Sequence, residues 1–160
     1  MTRVNVRSMT EPEYRSWLRK TAEDFAAEQI ATGAWAPEGA VEKAMEQNAA
    51  LLPEGLATPR MLILQGFDEL GQVVGYSWVG LDHPRGTSGT AFIYDIEILQ
   101  DRRGEGLGRA LLAAVEREVE QAGVPAIELN VFGHNRTAVS LYESAGYAVT
   151  TQQMRKQFGG

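Results

Sequence analysis

Residues Asp95-Ile96-Glu97 set two carboxylates two positions apart inside the most strand-like stretch of the chain, Ala91 to Leu99. Strand alternation puts Ile93, Asp95, Glu97 and Leu99 on one face and Phe92, Tyr94, Ile96 and Ile98 on the other. The two acids then stand roughly 7 Å apart along the strand. Like charges that close raise one pKa and make a carboxylate a better proton acceptor, directly or through water. Either acid singly also fits a solvated or salt-bridged strand face.

The segment that follows is Gln100-Asp101-Arg102-Arg103-Gly104-Glu105-Gly106-Leu107-Gly108-Arg109, with three glycines on alternate positions opening a helix. Amides at such a turn have no intrahelical partner, and the helix dipole adds positive potential. Glycine permits φ > 0 and lets the backbone come close to a phosphate. With Arg103 and Arg109 beside it, the loop suits a pyrophosphate. It lacks the Gly-Lys-Ser/Thr of a Walker loop. Counted from Gly104, Arg109 stands where the dinucleotide fingerprint needs its third glycine. A methyltransferase-like Gly-x-Gly-x-Gly does match, but that loop normally follows a first strand, and here three or four strands precede it.

The elements that must carry these groups are legible from pattern. Arg3 to Arg7 alternates as a short strand, and Thr10 with Glu13 forms a capping box, with Pro12 in the first helical turn. Tyr14, Trp17, Leu18, Thr21, Ala22, Phe25 and Ala26 then recur at helical spacing up to a stop near Gly33. A second helix is expected from Pro37 to Leu52. Met61 to Phe67 and Val73 to Leu81 flank a turn at Asp68-Glu69-Leu70-Gly71 and read as a hairpin. After the glycine loop come a helix from Leu107 to Gln121, a strand from Pro125 to Phe132, a helix from Asn135 to Ala145 and a last strand from Tyr147 to Lys156. The fold class is α+β, a mixed, mostly antiparallel sheet flanked by helices in the order β-α-α-β-β-β-α-β-α-β. All 160 residues are read as a single domain.

Composition narrows the chemistry. The chain has no cysteine, which excludes thiol nucleophiles, disulfides and cysteine-ligated metals. Two histidines, His83 and His134, are too few for a multi-histidine site, so no metal is expected. A net charge of −6 has the wrong sign for a dedicated nucleic-acid binder. The longest apolar run, Ala110 to Val115, is far short of the ~18 residues that span a bilayer. No secretory signal is visible after Met1, and a cytoplasmic protein with no membrane association is expected.

Arg103-Gly104-Glu105-Gly106-Leu107-Gly108 resembles the Arg/Gln-x-x-Gly-x-Gly/Ala signature of the GNAT superfamily of acetyl-CoA-dependent N-acetyltransferases. Asn135-Arg136-Thr137-Ala138 with Leu141-Tyr142-Glu143-Ser144-Ala145-Gly146-Tyr147 resembles its second signature, an Asn-headed helix. The two occur in the family's order, one helix and one strand apart. The likeness is close from Ala91 to Tyr147, whereas the first 58 residues match in layout only. Trp35-x-Pro37 and Leu51-Leu52-Pro53-x-Gly55-Leu56 resemble a bacterial subgroup of the superfamily with no defined acceptor.

That resemblance implies acetyl-CoA as cosubstrate, with the amides of Arg103, Gly104, Glu105, Gly106, Leu107, Gly108 and Arg109 around its pyrophosphate. It implies that the backbone of Ile96 and Ile98 pairs with the pantetheine arm like an added strand. An amide near Ile98 would polarise the thioester carbonyl. Asn135 would bind the coenzyme or act as a plain N-cap. Tyr142 takes the family's place of general acid, since a phenol with a pKa near ~10 keeps its proton at neutral pH. Some relatives carry a glutamate where this chain has Asn130, which is no base, so proton removal falls to Asp95, Glu97 or water. His134, beside Asn135, is a further candidate relay. Glu28, Trp35 and Glu38 are candidate acceptor walls, with Trp35 also able to close the core.

The implied reaction is acetylation of a primary amine, on a small molecule or a protein, by direct transfer in a ternary complex. The alternatives are a coenzyme-A-binding module without transfer activity and a transferase for another acyl group. A homodimer through the last strand and Phe158 is also open.

Overall fold

The computed structural model describes residues 3–159. These fall into two compact units, Met1–Leu129 and Asn130–Gly160.

The first unit begins with β1 (Asn5–Ser8) and α1 (Glu11–Ala31). The capping box forms as expected: Glu13 Oε1 accepts the Thr10 amide at 2.8 Å, and Thr10 Oγ1 accepts the Glu13 amide at 3.5 Å. Arg7 grips the same glutamate through both nitrogens, at 2.8 and 3.1 Å, and so ties β1 to the helix start. The helix ends at Thr32, where Gly33 takes φ 78°. Next comes α2 (Ala40–Leu51), stopped by Leu52-Pro53. Ala22 and Ala26 meet Ala40 and Ala44, small side chains that let the two helices approach closely.

The sheet is built from β2 (Met61–Phe67), β3 (Val73–Gly80), β4 (Thr90–Ile98) and β5 (Ala126–Leu129), in the spatial order β1-β2-β3-β4-β5. The first four strands are antiparallel and β5 runs parallel to β4. One face carries Ile63, Tyr76 and Trp78, which pack with Met9, Tyr14, Trp17 and Leu52. On the other face lies α3 (Leu107–Gln121), which buries Leu107, Leu111, Leu112, Ala114, Val115 and Val119. Its Leu111 fits over the bare Cα of Gly66. Each fully buried aliphatic side chain of this kind stabilises by about 1.5–3 kcal/mol.

The second unit holds α4 (Arg136–Ser144), whose Asn135 caps it by accepting the Ala138 amide at 3.2 Å. The elements thus follow the expected order as far as α4. The expected last strand, Tyr147 to Lys156, differs: among the described residues this segment pairs with no strand. After Val149 the sequence is Thr-Thr-Gln-Gln-Met-Arg-Lys, with almost nothing apolar to bury, and Met154 is exposed. No helix among the described residues is long and apolar enough to cross a membrane.

Candidate active site

β4 carries both carboxylates on one face, as alternation predicts, but the pattern breaks just before them. Asp95 pairs with Trp78 and Glu97 with Tyr76, while Ile93 pairs with Val79, so the register shifts between Trp78 and Val79. Tyr94 is the extra residue of a β-bulge, and Ile93 therefore lies on the face opposite Asp95. The expected grouping of Ile93 with the two acids is corrected by this bulge. Tyr94 stacks on Trp78, with ring centroids 4.5 Å apart.

The half-buried Asp95 faces α1, where Thr21 Oγ1 donates to it at 3.5 Å. Burial, and then the neighbouring Glu97 charge, push its pKa up to about 7. The Trp17 indole, Lys20 and Thr21 oppose that rise without cancelling it. Glu97 is held on both sides. Tyr76 Oη donates to its Oε2 at 2.7 Å, and Arg103 Nη2 donates to its Oε1 at 3.0 Å. Lys20 Nζ in turn donates to Tyr76 Oη at 3.2 Å and to Asp24 at 2.7 Å. Burial and the Glu97 carboxylate raise the Tyr76 phenol well above its usual range, so it is a fixed O–H donor at neutral pH.

The backbone of β4 presents an open edge. Leu99 N donates to Val74 O at 2.9 Å, so Leu99 and Glu97 face β3 and the alternate residues Ile98 and Ile96 turn their peptide groups outward. On that outer side β5 pairs only with Thr90 to Ile93. Beyond Ile93 the edge has no ladder partner among the described residues of this unit. Gly75 lets β3 come close here, since a Cβ on it would collide with the Glu97 carbonyl.

The glycine loop lies at the end of this edge. A 3-10 turn at Gln100–Arg102 leads into Gly104 (φ 83°) and Gly106 (φ 76°), and Gly106 caps α3 with no side-chain bond to its first amides. Open space surrounds the position of a Cβ on either glycine. Such a helix start combines amides without intrahelical partners, a positive dipole end and free room, features that suit an anion. Arg102 fixes the turn from behind, donating to Asp68 Oδ2 at 2.9 Å and to Glu105 Oε2 at 3.3 Å. Asp68 also accepts the Leu70 and Gln72 amides, both at 2.9 Å, which anchors the loop to the β2–β3 turn. Those amides, Gln72 first, and Arg102 hold its carboxyl below the usual range.

The first unit thus brings together Asp95, Glu97, the outward backbone of Ile96 and Ile98, Arg103 and the loop from Gly104 to Arg109. Asn135 and Tyr142 belong to the second unit, where Tyr142 packs edge-on against Tyr147 at 5.7 Å. In the same unit His134 stacks on Phe132. Trp35 closes the α1–α2 junction against Phe25, with Lys43 Nζ 4.3 Å above its ring. His83 is buried, with Nδ1 accepting from Arg85 N at 3.0 Å and Nε2 bound to Glu128 at 2.9 Å, a structural pairing. The sequence reading missed Lys20, Tyr76, Arg102 and Asp68. Tyr76 shares strand parity with Trp78, but its pairing with Glu97 depends on a register that no local pattern gives.

Comparison with known proteins gives the family. Residues 12–147 match the model of the Acetyltransferase (GNAT) family. The chain belongs to this family and is an acetyltransferase. It is 34% identical over 149 residues to the uncharacterized N-acetyltransferase YycN of Bacillus subtilis (strain 168), covering 93% of this chain and 95% of the relative. It is 32% identical over 151 residues to the uncharacterized N-acetyltransferase YdgE of the same organism, covering 93% and 94%. A crystal structure of the Bacillus subtilis YycN superposes with a TM-score of 0.89 at 32% identity, covering 98% of this chain and 99% of that one.

Proposed function

We propose that the chain moves an acetyl group from acetyl-CoA to a primary amine, by direct attack in a ternary complex of one acetyltransferase domain that spans both units. The observation that carries this reading is the juxtaposition, within β4, of an outward backbone edge at Ile96 and Ile98 with a carboxylate poised near neutral pH at Asp95.

Acetyl-CoA supplies an acyl carbon activated as a thioester. The amides of Arg103 to Arg109 hold its pyrophosphate, and the peptide groups of Ile96 and Ile98 orient its arm. Asp95 accepts the proton that the acceptor's ammonium must lose before its nitrogen attacks. A carboxylate with a pKa of about 7 is suited to that transfer at neutral pH. The new C–N bond forms as the C–S bond breaks. Tyr142 gives a proton to the departing thiolate, and the second proton shed by the acetylated nitrogen restores the phenol through solvent; this role rests on its signature in the family, and Asn135 joins the coenzyme contacts on the same ground. With no cysteine in the chain, a cysteine thioester intermediate is excluded, which favours direct attack.

The test is incubation of the full chain with acetyl-CoA and a panel of primary amines: amino acids, a polyamine, an aminoglycoside and lysine- or N-terminus-bearing peptides. The expected result is thiol release matched by an acetyl mass gain on one class of amine, with intersecting initial-rate lines. Coenzyme binding with no acetylation of any amine would overturn the reading in favour of a binding module. A preference for a bulkier thioester in competition would reassign the acyl group.

A further inference from the structure

Two acids of one strand face are commonly taken as interchangeable candidates for proton removal, yet their surroundings differ sharply. Glu97 has both oxygens engaged, one by the Tyr76 hydroxyl at 2.7 Å and the other by the Arg103 guanidinium at 3.0 Å. Lys20 Nζ stands 4.0 Å from the same Oε1 and donates to Tyr76. Charge-assisted bonds of this kind are short and directional, and together they occupy both oxygens. Asp95 is met by neutral donors instead, the Trp17 indole and the long Thr21 hydroxyl contact at 3.5 Å.

We propose that Lys20 and Tyr76 form a positioning arm that pins the Glu97 carboxylate against β3 and so leaves proton acceptance to Asp95. This rests on the reading of Asp95 as the base. Neither Lys20 nor Tyr76 touches the reacting atoms in this account; Tyr76 acts through Glu97, and Lys20 acts through Tyr76 and by its charge on Asp95.

The arm has the right construction. Asp24, one turn along α1, accepts from Lys20 at 2.7 Å and holds its ammonium charged, well above the ordinary lysine range. Tyr76, buried in β3 directly opposite Glu97, cannot ionise at neutral pH and so always presents its proton to that carboxylate. The charged and titratable groups that act on Asp95 are Lys20 from α1, Tyr76 from β3 and Glu97 from β4, with Arg103 of the glycine loop bound to Glu97. Removing the Lys20 charge, or the hydroxyl that tethers it, leaves the anion at Glu97 less neutralised and makes ionisation of Asp95 harder.

The sign of the change distinguishes positioning from packing. A carbon-13 NMR titration of the Asp95 carboxyl in the full chain, free of ligand, is the direct measurement. In the unsubstituted chain the midpoint is expected near 7. In Lys20→Met and in the near-isosteric Tyr76→Phe it should rise by roughly one unit, and Lys20→Arg should restore it. A midpoint that stays put, or that falls as water reaches a loosened site, overturns the positioning role while leaving Asp95 as base. A midpoint in the ordinary carboxylate range in the unsubstituted chain is a different failure, and removes the base assignment itself.

Discussion

Arg103 joins the two halves of the candidate site in the first unit: its Nη2 donates to Glu97 Oε1 at 3.0 Å and its Nε to the Ile98 carbonyl at 3.2 Å. One residue of the glycine loop thus grips both the carboxylate face and the outward edge of β4. Loop, edge and acid are held in one frame, which is what transfer between two bound substrates needs.

Gly106 tests the loop. A Cβ there has open space around it, but a valine must hold φ near 76°. That strain costs about 1–2 kcal/mol, so Gly106→Val should still fold, with a modestly lower melting temperature. Its stabilisation by acetyl-CoA should vanish, because the side chain fills the room a pyrophosphate requires. Retained stabilisation would show that the loop is not the phosphate site.

Asp95 makes stability pH-dependent in a stated direction. The folded chain keeps this proton up to about pH 7, whereas the unfolded chain releases it near the ordinary aspartate value of 3.8. Between those values the native state binds more protons, so this group's contribution falls as pH rises through the window. Asp95→Asn removes the effect. Its melting temperature should gain steadily on the unsubstituted chain from about pH 4 to 7 and run parallel above, while its acetylation rate falls at least about 100-fold. Parallel melting curves across the whole range would contradict the buried-carboxylate account.

Glu13 acts with the opposite sign. Arg7 first, then the Thr10 amide, hold its carboxyl at about 2, below the ordinary 4.5. The stability this gives is present above 4.5 and is lost as pH falls toward 2. Thr10→Ala and Glu13→Gln should each cost about 1 kcal/mol at neutral pH. For Glu13→Gln the deficit should shrink on acidification, a difference that urea titrations at pH 7 and pH 3 would reveal.

Tyr142→Phe separates chemistry from binding. Turnover should fall by about 100-fold or more while the dissociation constant for acetyl-CoA changes little. A large loss of coenzyme affinity would argue that the phenol binds rather than donates a proton.

What could be read from the sequence was whatever local chemistry decides. The Thr10–Glu13 box, the limits of α3 and the Asn135 cap each depend on residues within one or two turns, and each formed as expected. The grouping of Asp95 with Glu97 was also legible, because alternation holds over two residues. Ile93 was misplaced since a single extra residue, Tyr94, resets the alternation, and nothing in Phe-Ile-Tyr-Asp marks a bulge. Tyr76 and Arg102 went unseen for a related reason. Their partners, Glu97 and Asp68, lie 21 and 34 residues away and meet them only through strand register and turn placement. The expected last strand, Tyr147 to Lys156, did not form, since after Val149 it has almost nothing apolar to bury.

The most direct test of the account is thermal melting of the full chain with acetyl-CoA, free CoA, ATP, NAD and S-adenosylmethionine in turn. A ligand at 100 times its dissociation constant adds about 2.7 kcal/mol to folding, a readily measured upward shift. The account predicts that shift for the two CoA species alone, and its loss in Gly106→Val. No shift with either CoA species, or a clear one with S-adenosylmethionine, would contradict the reading of the glycine loop and the catalytic roles built on it.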